Sequence, residues 1–207
     1  MKRSFICYST LAFLLITKLS IAQISITFPS DRAIFQRNNQ NNTTIYIAGY
    51  FTQNLTSIEA RLTPIVAGEG TPVPADGGWT IIDANPIHKN FYGSLVVTGG
   101  WYKLEVRGSE GGSIFTGSVD HVGVGEVFVI AGQSNSVGGK KLPNGPGAKY
   151  DQVNSVNFKN GTLKNTHITP YSNIKLPCPE YVHLNATTKT APFGNYAWCW
   201  GAFGDQM

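Results

Sequence analysis

Apolar and polar residues alternate along the first half of this chain in short runs broken by turn residues. Ile24 to Phe28 alternates and stops at Pro29-Ser30-Asp31. Thr44 to Phe51 is rich in β-formers, and Ile58-Glu59-Ala60-Arg61-Leu62 alternates strictly. Further short runs follow at Trp79 to Asp83, Phe91 to Val97, Trp101 to Arg107 and Ile114 to Val119. Polar or Gly/Pro-rich loops separate them, at Arg37 to Asn42, Gly68 to Gly78 and Gly99-Gly100. A period of two residues is the signature of a half-buried strand. Seven such segments with frequent turns and no helical period predict an antiparallel β-sandwich over residues 23–120.

The run Trp101 to Arg107 shows the two faces. Trp101, Lys103, Glu105 and Arg107 fall on one side. Tyr102, Leu104 and Val106 fall on the other, which is predicted to face the core. The whole segment resembles an immunoglobulin-like or fibronectin type III-like module. That resemblance is architectural and specifies no function.

The pattern changes after His121. Val122-Gly123-Val124-Gly125 reads as a hinge-like lead into a continuous apolar run, Val127 to Ala131. Such a run, rich in β-branched and aromatic residues, predicts a strand buried on both faces. It ends at Gly132-Gln133-Ser134-Asn135, so Ser134 is expected at the carboxyl end of a strand, where open α/β sheets hold their ligands. Asn135 is expected to cap a following helix. Tyr196, Trp200 and Phe203, spaced four and three apart, are expected on one face of another. Residues 121–207 therefore read as the start of an α/β/α domain, with too few strand–helix units to cover its first strand. The expectation is a fragment, or a truncated gene product, whose second domain is incomplete.

Composition narrows the setting. Residues 1–22 read as an export signal: Lys2 and Arg3, an apolar Leu11 to Ile16, then Ser20-Ile21-Ala22 as the cleavage site. Lys18 interrupts the apolar run well before the roughly 20 residues that a spanning helix needs, so no membrane insertion is expected after cleavage. The leader holds three of the 16 basic residues and none of the 12 acidic ones, leaving 13 against 12, a balance of +1. Such a chain has no electrostatic case for nucleic acid or an anionic membrane. The expected location is secreted or periplasmic. Cys178 and Cys199 remain, free to pair in an oxidising compartment or to pack as thiols. Neither has a C-x-x-C partner and the histidines lack ligand spacing, so no metal or other cofactor is expected. The Gly-rich stretch Gly132 to Lys141 fails the phosphate-loop pattern, because Ser134 stands where its first glycine belongs and Lys141 follows Lys140.

The stretch Gly125-Glu126-Val127-Phe128-Val129-Ile130-Ala131-Gly132-Gln133-Ser134-Asn135 resembles the nucleophile block of SGNH-type hydrolases. Within them it is similar to sialate O-acetylesterase-like carbohydrate esterases. A looser likeness covers Pro192-Phe193-Gly194-Asn195 and Trp200 to Asp205. The resemblance implies that Ser134 is the nucleophile and donates its own backbone N–H to the oxyanion hole, with Gly194 as the second donor. It also implies a histidine base in an Asp-x-x-His block. None exists here: the residues three before His88, His121, His167 and His183 are Asn85, Ser118, Lys164 and Glu180. The expected activity is removal of acetyl groups from an acetylated carbohydrate, with residues 1–207 inactive alone. A tryptophan beside Ser134 would suit a sugar substrate. The rival expectation is a carbohydrate-binding or adhesion module in which the sandwich holds the glycan.

Overall fold

The computed structural model describes residues 24–138, 145–157, 180–190 and 194–207. The expected leader, Cys178 and His167 lie outside them. The described chain is rich in β-structure. Its first eight strands are β1 (Ile24–Phe28), β2 (Ala33–Gln36), β3 (Asn42–Phe51), β4 (Ile58–Pro64), β5 (Thr80–Asp83), β6 (Asn90–Thr98), β7 (Gly100–Glu110) and β8 (Ser113–Gly125). They form a three-stranded sheet, β1-β3-β6, and a five-stranded sheet, β2-β8-β7-β4-β5. Pairings are antiparallel except β2 with β8, which is parallel.

One apolar core joins the two sheets. Ile45, Ile47, Phe91 and Val97 enter it from the three-stranded sheet; Ile58, Leu62, Leu104, Val106 and Val122 enter from the other. Tyr102, Leu104 and Val106 are fully buried, as their alternation predicted. A phenol so deep needs partners, since an unpaired buried hydroxyl costs about 1–3 kcal/mol. Tyr102 donates to the Thr98 carbonyl at 2.8 Å, shares its hydroxyl with Thr98 Oγ1 at 3.1 Å and accepts from the Thr71 N–H at 3.2 Å.

The outer face of the five-stranded sheet is a charge ladder. Glu59 opposes Arg107 and Arg61 opposes Glu105 in register, with ion-pair distances of 2.6 and 2.8 Å. Both guanidinium groups lie against Trp79, 4.3 and 4.5 Å from its ring centre. Trp101 is also on this side yet almost fully buried, because His121 stacks on it and Arg32 approaches its ring.

Two expectations fail here, and one strand went unpredicted. The short β2 was not predicted. The lead at Val122 to Gly125 is no hinge: β8 continues through it, across the boundary expected at residue 120, with Val122 and Val124 in the core. Gly123 serves close packing, since a Cβ there would stand 2.3 Å from Ile34 Cδ1 and 2.9 Å from the Trp101 ring. Finally, Val127 to Ala131 is not a strand. Val129 is 91 % exposed, and Val127, Phe128 and Ile130 are exposed as well. A parallel strand needs hydrogen-bonded neighbours and cover on both faces. The strands described after Gly125, β9 (Asn154–Asn157) and β10 (Glu180–His183), pair only with each other. No α/β/α layer is evident among the described residues.

Past Gly125 the chain forms a loop-rich unit around β9, β10 and two short helices, α1 (Ser134–Val137) and α2 (Trp200–Gly204). Ala148, Leu184, Thr188, Ala197 and Gly201 are buried among its described residues. The Asp205 carboxylate ties the end of α2 to the chain near β9, accepting the Lys149 N–H at 2.8 Å and the Tyr150 N–H at 3.1 Å. Arg32 joins this unit to the sheets, donating to Asn154 Oδ1 at 2.8 Å and to the Asp151 carbonyl at 3.0 Å, and pairing with the Asp151 carboxylate.

Candidate active site

The chain leaves β8 under restraint. Glu126 accepts hydrogen bonds from Gln36 Nε2 at 2.7 Å and Arg37 Nε at 2.8 Å, and the Val127 N–H donates to Gln36 Oε1 at 2.7 Å. Those bonds hold the Glu126 carboxyl below its ordinary range, Gln36 first and Arg37 second. The following apolar run meets the rest of the unit through Phe128, whose ring stands edge-on to Phe203 at 5.0 Å.

Ser134 is the first residue of α1 and is exposed. Gly132 precedes it at φ +154°, and Gln133 occupies the cap position, its carbonyl accepting from the Ser136 and Val137 N–H groups at 3.1 Å. Asn135 therefore lies inside the helix and does not cap it. The hydroxyl that bonds locally is that of Ser136, which donates to the Gln133 carbonyl at 2.7 Å. Ser134 thus sits on a closed turn with its own hydroxyl outside the turn's internal bonding.

The stretch around residue 194 adjoins this turn at its far end. The Asn195 N–H donates to the Val137 carbonyl at 2.7 Å, and Asn195 Nδ2 donates to the Gly138 carbonyl at 3.0 Å. Two donors from one residue satisfy two carbonyls at the helix end, the groups a helix leaves without internal partners. Sequence reasoning missed this clamp. No local pattern signals it, because the two segments stand more than fifty residues apart in the chain. Trp198 also reaches this end: a Cβ on Gly138 would stand 3.2 Å from Trp198 Cβ. Trp198 is exposed, in contrast to buried Trp101.

Gly194 itself has a local reason to be glycine. A Cβ there would fall 1.7 Å from Thr190 Oγ1 and 2.5 Å from the Thr190 carbonyl. The loop closes at that point, with the Thr190 N–H donating to the Asn195 carbonyl at 3.0 Å. No hydrogen bond joins Gly194 to Ser134 among the described residues.

The described histidines are engaged elsewhere. His183 Nδ1 lies 3.2 Å from the Val153 carbonyl beside β9. His121 lies on Trp101 and within 3.2 Å of Asp31. His88 occupies a turn at φ +52°. Tyr196 stands outside α2, under Lys189, so the predicted helical face consists of Trp200 and Phe203. Cys199 is exposed and free. Among the described residues no three His, Cys, Asp or Glu side chains converge as a metal site would require. A groove lined by Arg61, Thr63, Lys103 and Glu105 lies on the charged sheet face and includes none of the predicted site residues.

No protein-family model matches the chain, and no curated protein matches it in sequence.

Proposed function

We infer that residues 125–139 are the nucleophile block of an exported serine carboxylic-ester hydrolase of the SGNH type, acting on acetylated carbohydrate. The two-sheet unit is read as an immunoglobulin-like or fibronectin type III-like module beside it. Ser134 Oγ attacks the acetyl carbonyl as a base takes its proton, and the sugar hydroxyl departs with a proton. Water then hydrolyses the acyl-serine to acetate. The Ser134 N–H, as the first in its helix, has no intrahelical acceptor and is the first oxyanion donor. Gly194 is the candidate for the second.

One observation carries the reading: an exposed serine at the head of a turn whose other end is clamped by Asn195 and flanked by exposed Trp198. The reading requires an Asp-x-x-His pair that these 207 residues do not contain. A fluorophosphonate probe should label Ser134 quickly in a chain that carries such a pair and slowly in residues 1–207. Ser134→Ala should abolish aryl-acetate turnover; undiminished turnover in that variant overturns the reading. The second reading is a non-catalytic carbohydrate-binding or adhesion module. It is favoured by the absence of a histidine bonded to Ser134 among the described residues. Sugar binding without ester hydrolysis would select it.

A further inference from the structure

The outer face of the three-stranded sheet takes no part in the chemistry assigned to Ser134. Alternate residues of β3 and β6 project from it, and none of them is charged. Three are tyrosines with rings in solvent: Tyr46 at 65 %, Tyr50 at 51 % and Tyr92 at 72 % exposure. Their register is regular. Tyr46 opposes Ser94, Ala48 opposes Tyr92, and Tyr50 opposes Asn90. Tyr92 is thus diagonal to both other tyrosines, and two of the three rings stand across from a small residue. Side chains in diagonal positions on neighbouring strands stand roughly 7–8 Å apart. The three hydroxyls have no hydrogen-bond partner among the described residues.

We propose that this face binds a neutral glycan strand, with successive sugar rings laid on Tyr46, Tyr92 and Tyr50. It gives the glycan-binding reading named residues and does not depend on Ser134. Charge selects the class of occupant. Nucleic acid and anionic membranes are held by Lys and Arg, which this face lacks, whereas an uncharged polyol asks for ring faces and hydroxyls together. Tyrosine offers both at small cost in side-chain entropy. Shape favours an extended occupant over a second copy of the chain. β3 and β6 pair over nine positions. At ~3.4 Å per residue and ~4.8 Å between strands, that makes a strip ~27 Å long and ~10–15 Å wide. A long, narrow, flat strip suits an extended chain of rings.

The test is affinity electrophoresis of the mature chain through gels containing soluble xylan, galactomannan or hydroxyethyl cellulose, with polygalacturonate as the anionic control. At least one neutral polymer should retard the protein. Tyr92→Ala should weaken that affinity about fivefold to tenfold, the usual worth of one aromatic contact. Tyr92→Phe should keep most of it, and Ser134→Ala should leave it unchanged. Raising salt should alter it little. The inference fails if no neutral polymer binds, if binding survives in the Tyr46/Tyr50/Tyr92→Ala triple variant, or if only polygalacturonate binds. It also fails if sedimentation finds a dimer that Tyr92→Ala dissociates. Fluorophosphonate labelling of Ser134 is scored separately, so loss of the esterase reading and loss of this one are distinct results.

Discussion

Residues 24–125 and the described residues past Gly125 are built on different physics. The first stretch closes two sheets over one shared core, where Phe91, Leu104 and Val106 are fully buried. Among its described residues the second relies on a short β9–β10 ladder and scattered contacts: Asp205 on two amides, Asn195 on two carbonyls, Phe128 on Phe203. Apolar burial adds up over area, while a net hydrogen bond contributes only about 0.5–1.5 kcal/mol. The sheets should therefore unfold as one cooperative body and the later unit should open locally at lower cost. Leu104→Ala is the largest lever on this contrast. A buried leucine cut to alanine costs about 2–5 kcal/mol. Urea unfolding of the sheet unit should show that loss, and a change under 1 kcal/mol would mean the core is looser than its burial indicates.

Arg32 sharpens the contrast from the other side. Its guanidinium reaches the Asp151 carbonyl, the Asp151 carboxylate and Asn154 Oδ1. Hydrogen bonds to charged groups contribute about 1.5–3 kcal/mol where they are shielded from water. Arg32→Ala should accelerate proteolysis of residues 145–157 while shifting the sheet unit's melting temperature much less than Leu104→Ala does. Equal shifts in both would mean that the two stretches fold as one.

The same contrast explains what could be read in advance. Strands β3, β4, β6 and β7 follow from alternation because one face of each meets the core and the other meets water. Strand β2 escaped notice because Ala33 to Gln36 is only four residues long and gains its pairing from distant Val122 to Gly125. Those glycines suggested a hinge, and local sequence gives no sign that Trp101 and Ile34 need the space over Gly123. The apolar run Val127 to Ala131 has the composition of a buried strand, but composition does not supply neighbours. Ser134 was legible as an exposed serine after a glycine turn. The Asn195 clamp was not, because it depends on two segments more than fifty residues apart.

Acid probes the weaker unit directly. Partial burial works to raise the Asp205 carboxyl. The Lys149 and Tyr150 N–H groups outweigh it, with help from the positive charges of Lys149 and His183, so the group sits below its ordinary value. A carboxylate lowered on folding contributes stability that is fully present above the unfolded value, about 3.9. That contribution is lost as pH falls through the lower folded value. Amide protection at Lys149 and Tyr150 should hold at neutral pH and fall below about pH 4. Asp205→Asn should remove the pH dependence, since the amide keeps one acceptor and has nothing to titrate. Protection that falls identically in both proteins would trace the acid response to another group.

The smallest effect should be the most telling. Ser134 is exposed, its hydroxyl forms no hydrogen bond within the turn, and it heads a helix already closed through Gln133 and Asn195. Ser134→Ala should therefore change stability by less than about 0.5 kcal/mol, as exposed substitutions away from structural features do. Asn195→Ala removes the bond to the Gly138 carbonyl and should cost more, about 0.5–1.5 kcal/mol, seen as faster amide exchange at the end of α1. If the two costs came out reversed, Ser134 would be holding the fold together. A hydroxyl kept for structure is poorly placed to be given up to an acyl group, and the esterase reading would lose its nucleophile.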